Sequence, residues 1–487
     1  MSAGPDSQIA AEFPSTALPA SFWSGLAAQL SGELVLPGDP GYVFAKQLQN
    51  YEFDAIEPAA VAYCETARDV QACLRFARGH DVRVHIRSGG HSFNGCSTGT
   101  GLVIDVSRIN HVIAGPTVQL GAGSQSVDVL DALHRQGAQV VTGTFPTVSA
   151  GGFLSGGGIG WQTRKFGIGS DRIVSARVVL ADGRLVHCSA TEEPDLFWAV
   201  RGGGGGNFGV VVEFEVRPIE APLLVGYETT WPISAAAEVM AAWQAWCMDG
   251  SEDLGSSLVV LPAFGPDNPP MVKVWGVHLG SRDQLDAALD ELAERVGVAP
   301  LSRTSSDPAP YGKVMHSQLC GGNGLAECHR TGSNPVAVGH RHPYTRQSYR
   351  LIDRALDVQE TAEVIQAWDP SLNRERYVLC IAIGGAANRV CRTETAYAHR
   401  EAQFLIGYQI ALRGDDRPAE DVAFMNAWAD RADALLTPLS CGAYVNFPSS
   451  NPDADWLSEC YGENLSRLRR VKRKYDPTGM FQHAQGI

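Results

Sequence analysis

No stretch of the 487-residue chain approaches the roughly 18 to 20 consecutive apolar residues of a membrane-spanning helix. Basic charge is scarce as well. Thirty-nine Lys and Arg stand against 53 Asp and Glu, leaving a formal charge of −14. That balance lacks the cationic footprint that nucleic-acid phosphates require, and it excludes a polybasic membrane anchor. The eleven cysteines include no C-x-x-C pair, which argues against a zinc or thioredoxin-type site. There is no G-x-x-x-x-G-K-[ST] loop for a nucleoside triphosphate. The first twenty residues have neither Lys nor Arg nor an apolar core, so no ordinary signal peptide is expected and a cytoplasmic protein is.

What the chain does have is glycine, 52 residues, clustered rather than scattered. With 44% hydrophobic residues it has ample core for about three domains at ~150 residues each. Glycine clusters let backbone approach backbone or a ligand closely, which favours a cofactor-binding enzyme. Gly204–Gly209 spells G-x-G-x-x-G, but a helix-like segment precedes it and Val210-Val211-Val212 follows. A dinucleotide loop needs strand first and helix second, so that reading is rejected. Gly121-Ala122-Gly123 has Ser126 at the third glycine position and no acidic residue about 20 positions on. Between Gly151 and Gly160, six of ten positions are glycine, interleaved with Phe, Leu and Ile that a solvated linker would not carry. In Arg87-Ser88-Gly89-Gly90-His91-Ser92, successive N–H groups after a strand form an anion nest with a histidine inside.

The pattern predicts an α+β protein. Strands are expected at 58–62, 82–86, 102–106, 118–120, 173–180, 184–188 and 210–216, with helices at 67–78 and 126–136. Farther on, helices at 235–246, 282–296, 349–368 and 419–436 alternate with strands at 257–261, 272–277, 377–383 and 404–409. That predicts an antiparallel sheet backed by helices. A charged helix at 465–475 closes the chain. Cys320 and Cys328 flank a glycine-rich loop and are able to pair, but free buried thiols in a reducing compartment are the expected state.

Several ordered motifs resemble the FAD-linked oxidases of the berberine bridge enzyme type, within the vanillyl-alcohol-oxidase-like superfamily. They are RSGGHSF at 87–93, PTVSAGGFLSGGGIG at 146–160, KFGIGSD at 165–171, DLFWAVRGGGGGNFGVV at 195–211 and YVNF at 444–447, with NLSRLRRVKRKYDPTGMF at 464–481. The resemblance implies an N-terminal arm (1–40), an FAD-binding PCMH-type domain (41–220), a substrate domain (221–435) and a C-terminal segment (436–487) returning to the FAD domain. It implies FAD held by Arg87, Ser88, Gly89, Gly90, His91, Ser92, Thr147, Gly151, Gly152, Gly156, Gly157, Gly158, Gly160, Val211, Tyr444 and Asn446. His91 is then the covalent attachment point. Doubly attached relatives carry Cys immediately before Pro-Thr-Val; Phe145 stands there, so a single bond is expected.

The family's usual base is also missing. Relatives place a tyrosine at the position of Phe447, and Gln or Glu at that of Gly407. Tyr408 and Tyr444 are the catalytic candidates that remain, although Tyr444 is equally readable as packing beneath the flavin and Tyr408 sits on an alternating strand. Arg374 and Arg376 are readable as a carboxylate clamp or as surface charges. His399-Arg400 reads as structural. His340-Arg341-His342 has the residue types of a metal site, but two histidines at i and i+2 in a loop are weak evidence for one, and no metal is expected. The resemblance thus implies an oxidase that passes hydride from a small-molecule substrate to flavin and then to O2. A secondary-metabolite intermediate with its own electron push, a benzylic phenolate or a departing carboxylate, suits the missing base. A conventional secondary-alcohol or sugar oxidase and a flavin-containing drug-binding protein with little turnover are the alternatives.

Overall fold

The computed structural model describes residues 19–220, 223–263, 268–330, 341–368, 374–414, 416–451 and 455–487. A mixed sheet comes first, in the spatial order Glu33–Val35, Ala60–Tyr63, Leu102–Asp105, Val84–Arg87. Its last three strands are parallel, because helix Ala67–His80 carries the chain across the sheet from Tyr63 to Val84. Thr66 starts that helix by accepting from the Asp69 N–H, while Asp69 accepts from the Thr66 N–H. This reciprocal cap satisfies two donors that a helix start otherwise leaves open. A five-stranded antiparallel sheet follows, ordered Val112–Ile113, Val118–Gly121, Val210–Val216, Ile173–Val179, Leu185–Ser189. The C-terminal helix Leu465–Tyr475 packs through Leu465, Leu468, Val471 and Tyr475 into the same core as this sheet.

The third sheet is the largest. Ser302–Ser305, Leu223–Pro232, Met271–Leu279, Leu254–Leu261, Arg374–Ala382, Phe404–Leu412 and Thr345–Ile352 run antiparallel in that order. Helices Ala236–Asp249, Arg282–Val296, Val358–Gln366 and Ala419–Leu436 cover one face. The fold class is therefore the expected α+β arrangement with a helix-backed antiparallel sheet. Because side chains alternate along a strand, parity decides which face each residue serves. Phe404, Ile406, Tyr408, Ile410 and Leu412 enter the core under the helices. Leu379, Ile381, Tyr349 and Gln409 take the opposite face and line a cavity.

Three expectations need correction. The helix expected over 349–368 is two elements, strand Thr345–Ile352 and helix Val358–Gln366. Burial on both faces of that strand hides the alternation that marks a strand, and Asp357 caps the helix by accepting from the Glu360 N–H. Arg376 is no surface charge: it is fully buried on the helix-covered face, its guanidinium 5.5 Å from the Phe424 ring centre. Cys320 and Cys328 are paired as a disulfide, with Cα atoms 5.9 Å apart, where free thiols were expected. The other nine cysteines are free.

Candidate active site

A cavity of about 540 Å³ runs between the two N-terminal sheets and the open face of the large sheet. Ser88, Gly89, Gly90, His91 and Ser92 line it along one side, and Gly151, Gly152, Val211, Tyr444 and Asn446 along others. Close packing explains the glycines. A Cβ on Gly89 would lie 2.7 Å from Ser149 Oγ, and one on Gly151 3.0 Å from the Ala122 carbonyl oxygen. Gly90 has φ +67°, where a side chain is disfavoured.

The remaining residues expected at the cofactor do other work. Arg87 turns away from the cavity, pairs with Asp105, and donates to the Ala45 carbonyl at 2.6 Å. Those two contacts tie it to the loop's frame, and it does not line the cavity as the cofactor role expected of it would require. Gly156 makes room for Asn446, Gly160 lies against the Thr142 carbonyl, and Gly157 and Gly158 take positive φ of +126° and +92°. None of these four lines the cavity. Thr147 lies behind the wall, its hydroxyl hydrogen-bonded to His91 Nε2 at 2.5 Å.

His91 is held neutral. Burial, with the Arg330 cation adding to it, pushes the imidazole down to about 3. Arg330 reaches the His91 loop, donating to the carbonyls of Gly89 (2.7 Å) and Gln47 (2.6 Å). The ring of Phe145 meets His91 edge-on at 5.3 Å. The cavity also takes in His85 and His483, and among the described residues neither ring of His85 nor of His483 has a nitrogen within hydrogen-bond geometry of a partner. Burial pushes both down to about 4. Two neutral buried imidazoles without partners require a ligand or water to satisfy them. A glycine cradle, an anion nest and orphaned polar atoms together fit a long, partly polar cofactor.

Tyr444 and Tyr408 part company here. Tyr444 lines the cavity, and its hydroxyl oxygen accepts from the N–H groups of Gly158 (2.9 Å) and Ile159 (3.3 Å) and from Asn446 Nδ2 (3.0 Å). Burial raises its pKa against the pull of those donors. Tyr408 faces the helices, donates to the Val364 carbonyl at 2.6 Å, and meets Trp428 edge-on. It is a core residue that does not line the cavity, not the catalytic residue expected. His399 likewise serves the frame, bonding the Cys460 carbonyl, and Arg400 pairs twice with Asp171. His342 lines the cavity with Nδ1 on the Leu412 carbonyl, while His340 lies outside the described residues.

A model described as "FAD binding domain" matches residues 58–189, and one described as "Berberine and berberine like" matches 443–487. Across 497 aligned residues the chain is 30% identical to (R)-6-hydroxynicotine oxidase of Paenarthrobacter nicotinovorans, covering 95% of this chain and 98% of that protein. The chain belongs to the berberine bridge enzyme-like FAD-linked oxidases. Berberine bridge enzyme from Eschscholzia californica superposes with a TM-score of 0.84 at 20% identity, over 96% of this chain and 98% of that one. Glucooligosaccharide oxidase from Acremonium strictum, described with a 6-S-cysteinyl, 8α-N1-histidyl FAD, gives 0.82 at 24%, over 96% and 99%. The cofactor of this family member is FAD, and the enzyme is an FAD-dependent oxidase. Among the described residues, no helix is long and apolar enough to cross a membrane.

Cavity residues missing from the sequence candidates include Tyr349 and Gln409, beside His85 and His483. Tyr349 was placed on a helix, and Gln409 was hidden beside Tyr408. Correct strand parity alone would have put both on the open face.

Proposed function

We propose that this family member oxidises a neutral or phenolic, largely apolar small molecule, a secondary-metabolite intermediate in the cytoplasm, at a carbon the substrate itself activates. When bound, FAD supplies the hydride acceptor and dioxygen its reoxidation. His91 would hold it covalently: Nε2 is committed to Thr147, which leaves Nδ1 for the bond, and a neutral imidazole keeps a lone pair there. Phe145 has no thiol for a second bond, so attachment is single. The glycine loops and the Gly89–Ser92 turn would take the rest of the cofactor, with His85 and His483 gaining partners.

One observation carries the choice of substrate. Among the described residues lining the cavity there is no Asp or Glu, burial raises the pKa of both tyrosines, Tyr349 and Tyr444, and His342 spends Nδ1 on the Leu412 carbonyl with Nε2 3.7 Å from Glu375, outside the cavity lining. A protonated phenol is a hydrogen-bond donor and a poor base. Phe93, Phe145, Phe447, Leu379 and Ile381 make the substrate side apolar. The electron push for hydride loss is then best supplied by the substrate, from an ionised para-hydroxyl or a departing carboxylate. The likeness to an oligosaccharide oxidase supports the conventional alcohol reading, for which an aromatic wall offers fewer polar partners than a sugar's hydroxyls need. Anaerobic flavin reduction by 4-hydroxybenzyl alcohol and by benzyl alcohol tests the choice. Faster reduction by the phenol, rising with its ionisation, is expected; equal rates, or reduction by cellobiose alone, refute it. Absence of oxygen uptake with any of them favours a binding protein.

A further inference from the structure

Tyr349 lies opposite Gly407 in the pairing of strands Thr345–Ile352 and Phe404–Leu412, and Leu379 flanks Gly407 on the other side. A Cβ on residue 407 would collide with Tyr349 Cδ1, so the tyrosine ring lies across the neighbouring strand in space that glycine alone leaves open. The ring ends edge-on against Phe447, with centroids 5.0 Å apart. Two departures from the family pattern, Gly407 and Phe447, are therefore in contact with one tyrosine. What position 447 lost, a phenolic hydroxyl, returns to the same corner from strand Thr345–Ile352.

That hydroxyl is only loosely engaged. Tyr349 donates to Gln409 Oε1 at 3.5 Å, at the limit of a hydrogen bond, and both residues line the cavity. The adjoining wall is Leu379 and Ile381. A weak bond facing an apolar cavity is readily exchanged for a stronger acceptor. Burial keeps the Tyr349 proton in place, which makes it a donor at working pH.

We propose that Tyr349, seconded by the Gln409 amide, donates to the oxygen of the bound substrate and stabilises that oxygen as an anion. This rests on the phenolic reading of the site and assigns a place to the charge that reading requires. A donor pre-aimed at developing negative charge in a dry site is worth far more than one in water. Tyr349 is then a specificity-determining residue, selecting an ionisable hydroxyl over its methyl ether.

The test uses the flavin-loaded enzyme and two probes that carry no oxidisable carbon next to the ring, 4-cyanophenol and 4-methoxybenzonitrile, read by perturbation of the flavin spectrum. Wild type should prefer the phenol and bind it ionised. Tyr349→Phe should lose roughly ten- to hundredfold of affinity for the phenol, as for a hydrogen bond to a charged group, and almost none for the ether. The bound phenol should then ionise at higher pH. Tyr349→Phe combined with Phe447→Tyr should regain part of the preference, because the hydroxyl re-enters the same corner; Gln409→Leu should give a smaller loss. An unchanged phenol-to-ether ratio in Tyr349→Phe overturns the role of Tyr349 while leaving the phenolic reading standing. A wild-type enzyme whose spectrum responds to cellobiose and to neither aromatic probe overturns both.

Discussion

Replacing Tyr444 by Phe separates a structural hydroxyl from a catalytic one. In the native enzyme three donors converge on its oxygen, the N–H groups of Gly158 and Ile159 and the Asn446 amide. Asn446 Nδ2 keeps a second acceptor, the Phe153 carbonyl at 3.1 Å, so the substitution strands two backbone donors. Leaving a buried donor unsatisfied costs about 1–3 kcal/mol, so the loss should reach about 2–6 kcal/mol, less whatever an invading water returns. Tyr408→Phe is the matched control. It removes one hydrogen bond to the Val364 carbonyl, which should cost about 1 kcal/mol, and it leaves flavin reduction untouched. Thermal unfolding of both variants, with flavin reduction followed across pH, provides the comparison. Tyr444→Phe should melt well below Tyr408→Phe and reduce its flavin more slowly by a pH-independent factor, since the glycine turn beside the cavity has slackened. A variant as stable as wild type whose reduction rate falls by the roughly 10²–10⁴-fold of a lost general base, with an altered pH profile, would refute the structural assignment.

The remaining predictions concern attachment and pH. His91→Ala should leave no fluorescent flavin on acid-precipitated protein; colour that stays bound would identify another anchor. His329 contacts Asp128 at 3.0 Å, and that carboxylate raises its pKa above the usual 6.5. Because the folded value is the higher one, the contact contributes fully below about pH 6.5 and is lost as pH rises through the folded value. Asp128→Asn should flatten that part of the stability profile, and an unchanged profile excludes the contact as its source. In the flavin-free protein His85, His91 and His483 carry the opposite sign: their folded values of about 4, 3 and 4 lie below the unfolded one. Stability should therefore fall as pH drops below about 6.5, and His85→Phe should lessen the fall measured by unfolding at pH 5 against pH 7.

The glycine loops were legible because close approach writes itself into composition. A Cβ would crowd Ser149 at Gly89 and the Ala122 carbonyl at Gly151. Helices Arg282–Val296 and Ala419–Leu436 were readable to the residue, since one apolar stripe per helix survives in the pattern. Strand Thr345–Ile352 was not. One face of it enters the helix-covered core at Ile352, the other lines a cavity at Thr345 and Tyr349, and Ser348 and Arg350 are buried by bonds to Asp433. A strand with polar residues satisfied inside the protein has neither the alternation of a surface strand nor the apolar run of a core strand.

Arg87 shows the complementary limit. Its place at the head of an anion nest suggests a phosphate ligand, yet in the fold it is paired with Asp105. Local pattern reports what a backbone turn can bind, whereas side-chain direction depends on a partner 18 positions away. Gly407 and Phe447 have the same character. Read singly, each is a deletion of function, a lost amide or carboxylate and a lost phenol. Their meaning depends on Tyr349, which neither position predicts and which packs against both. Reverting either one alone should therefore fail: a side chain at 407 displaces the Tyr349 ring, and Phe447→Tyr in the presence of Tyr349 places two phenols in one corner. Restoration at 447 becomes productive only after the Tyr349 hydroxyl is removed.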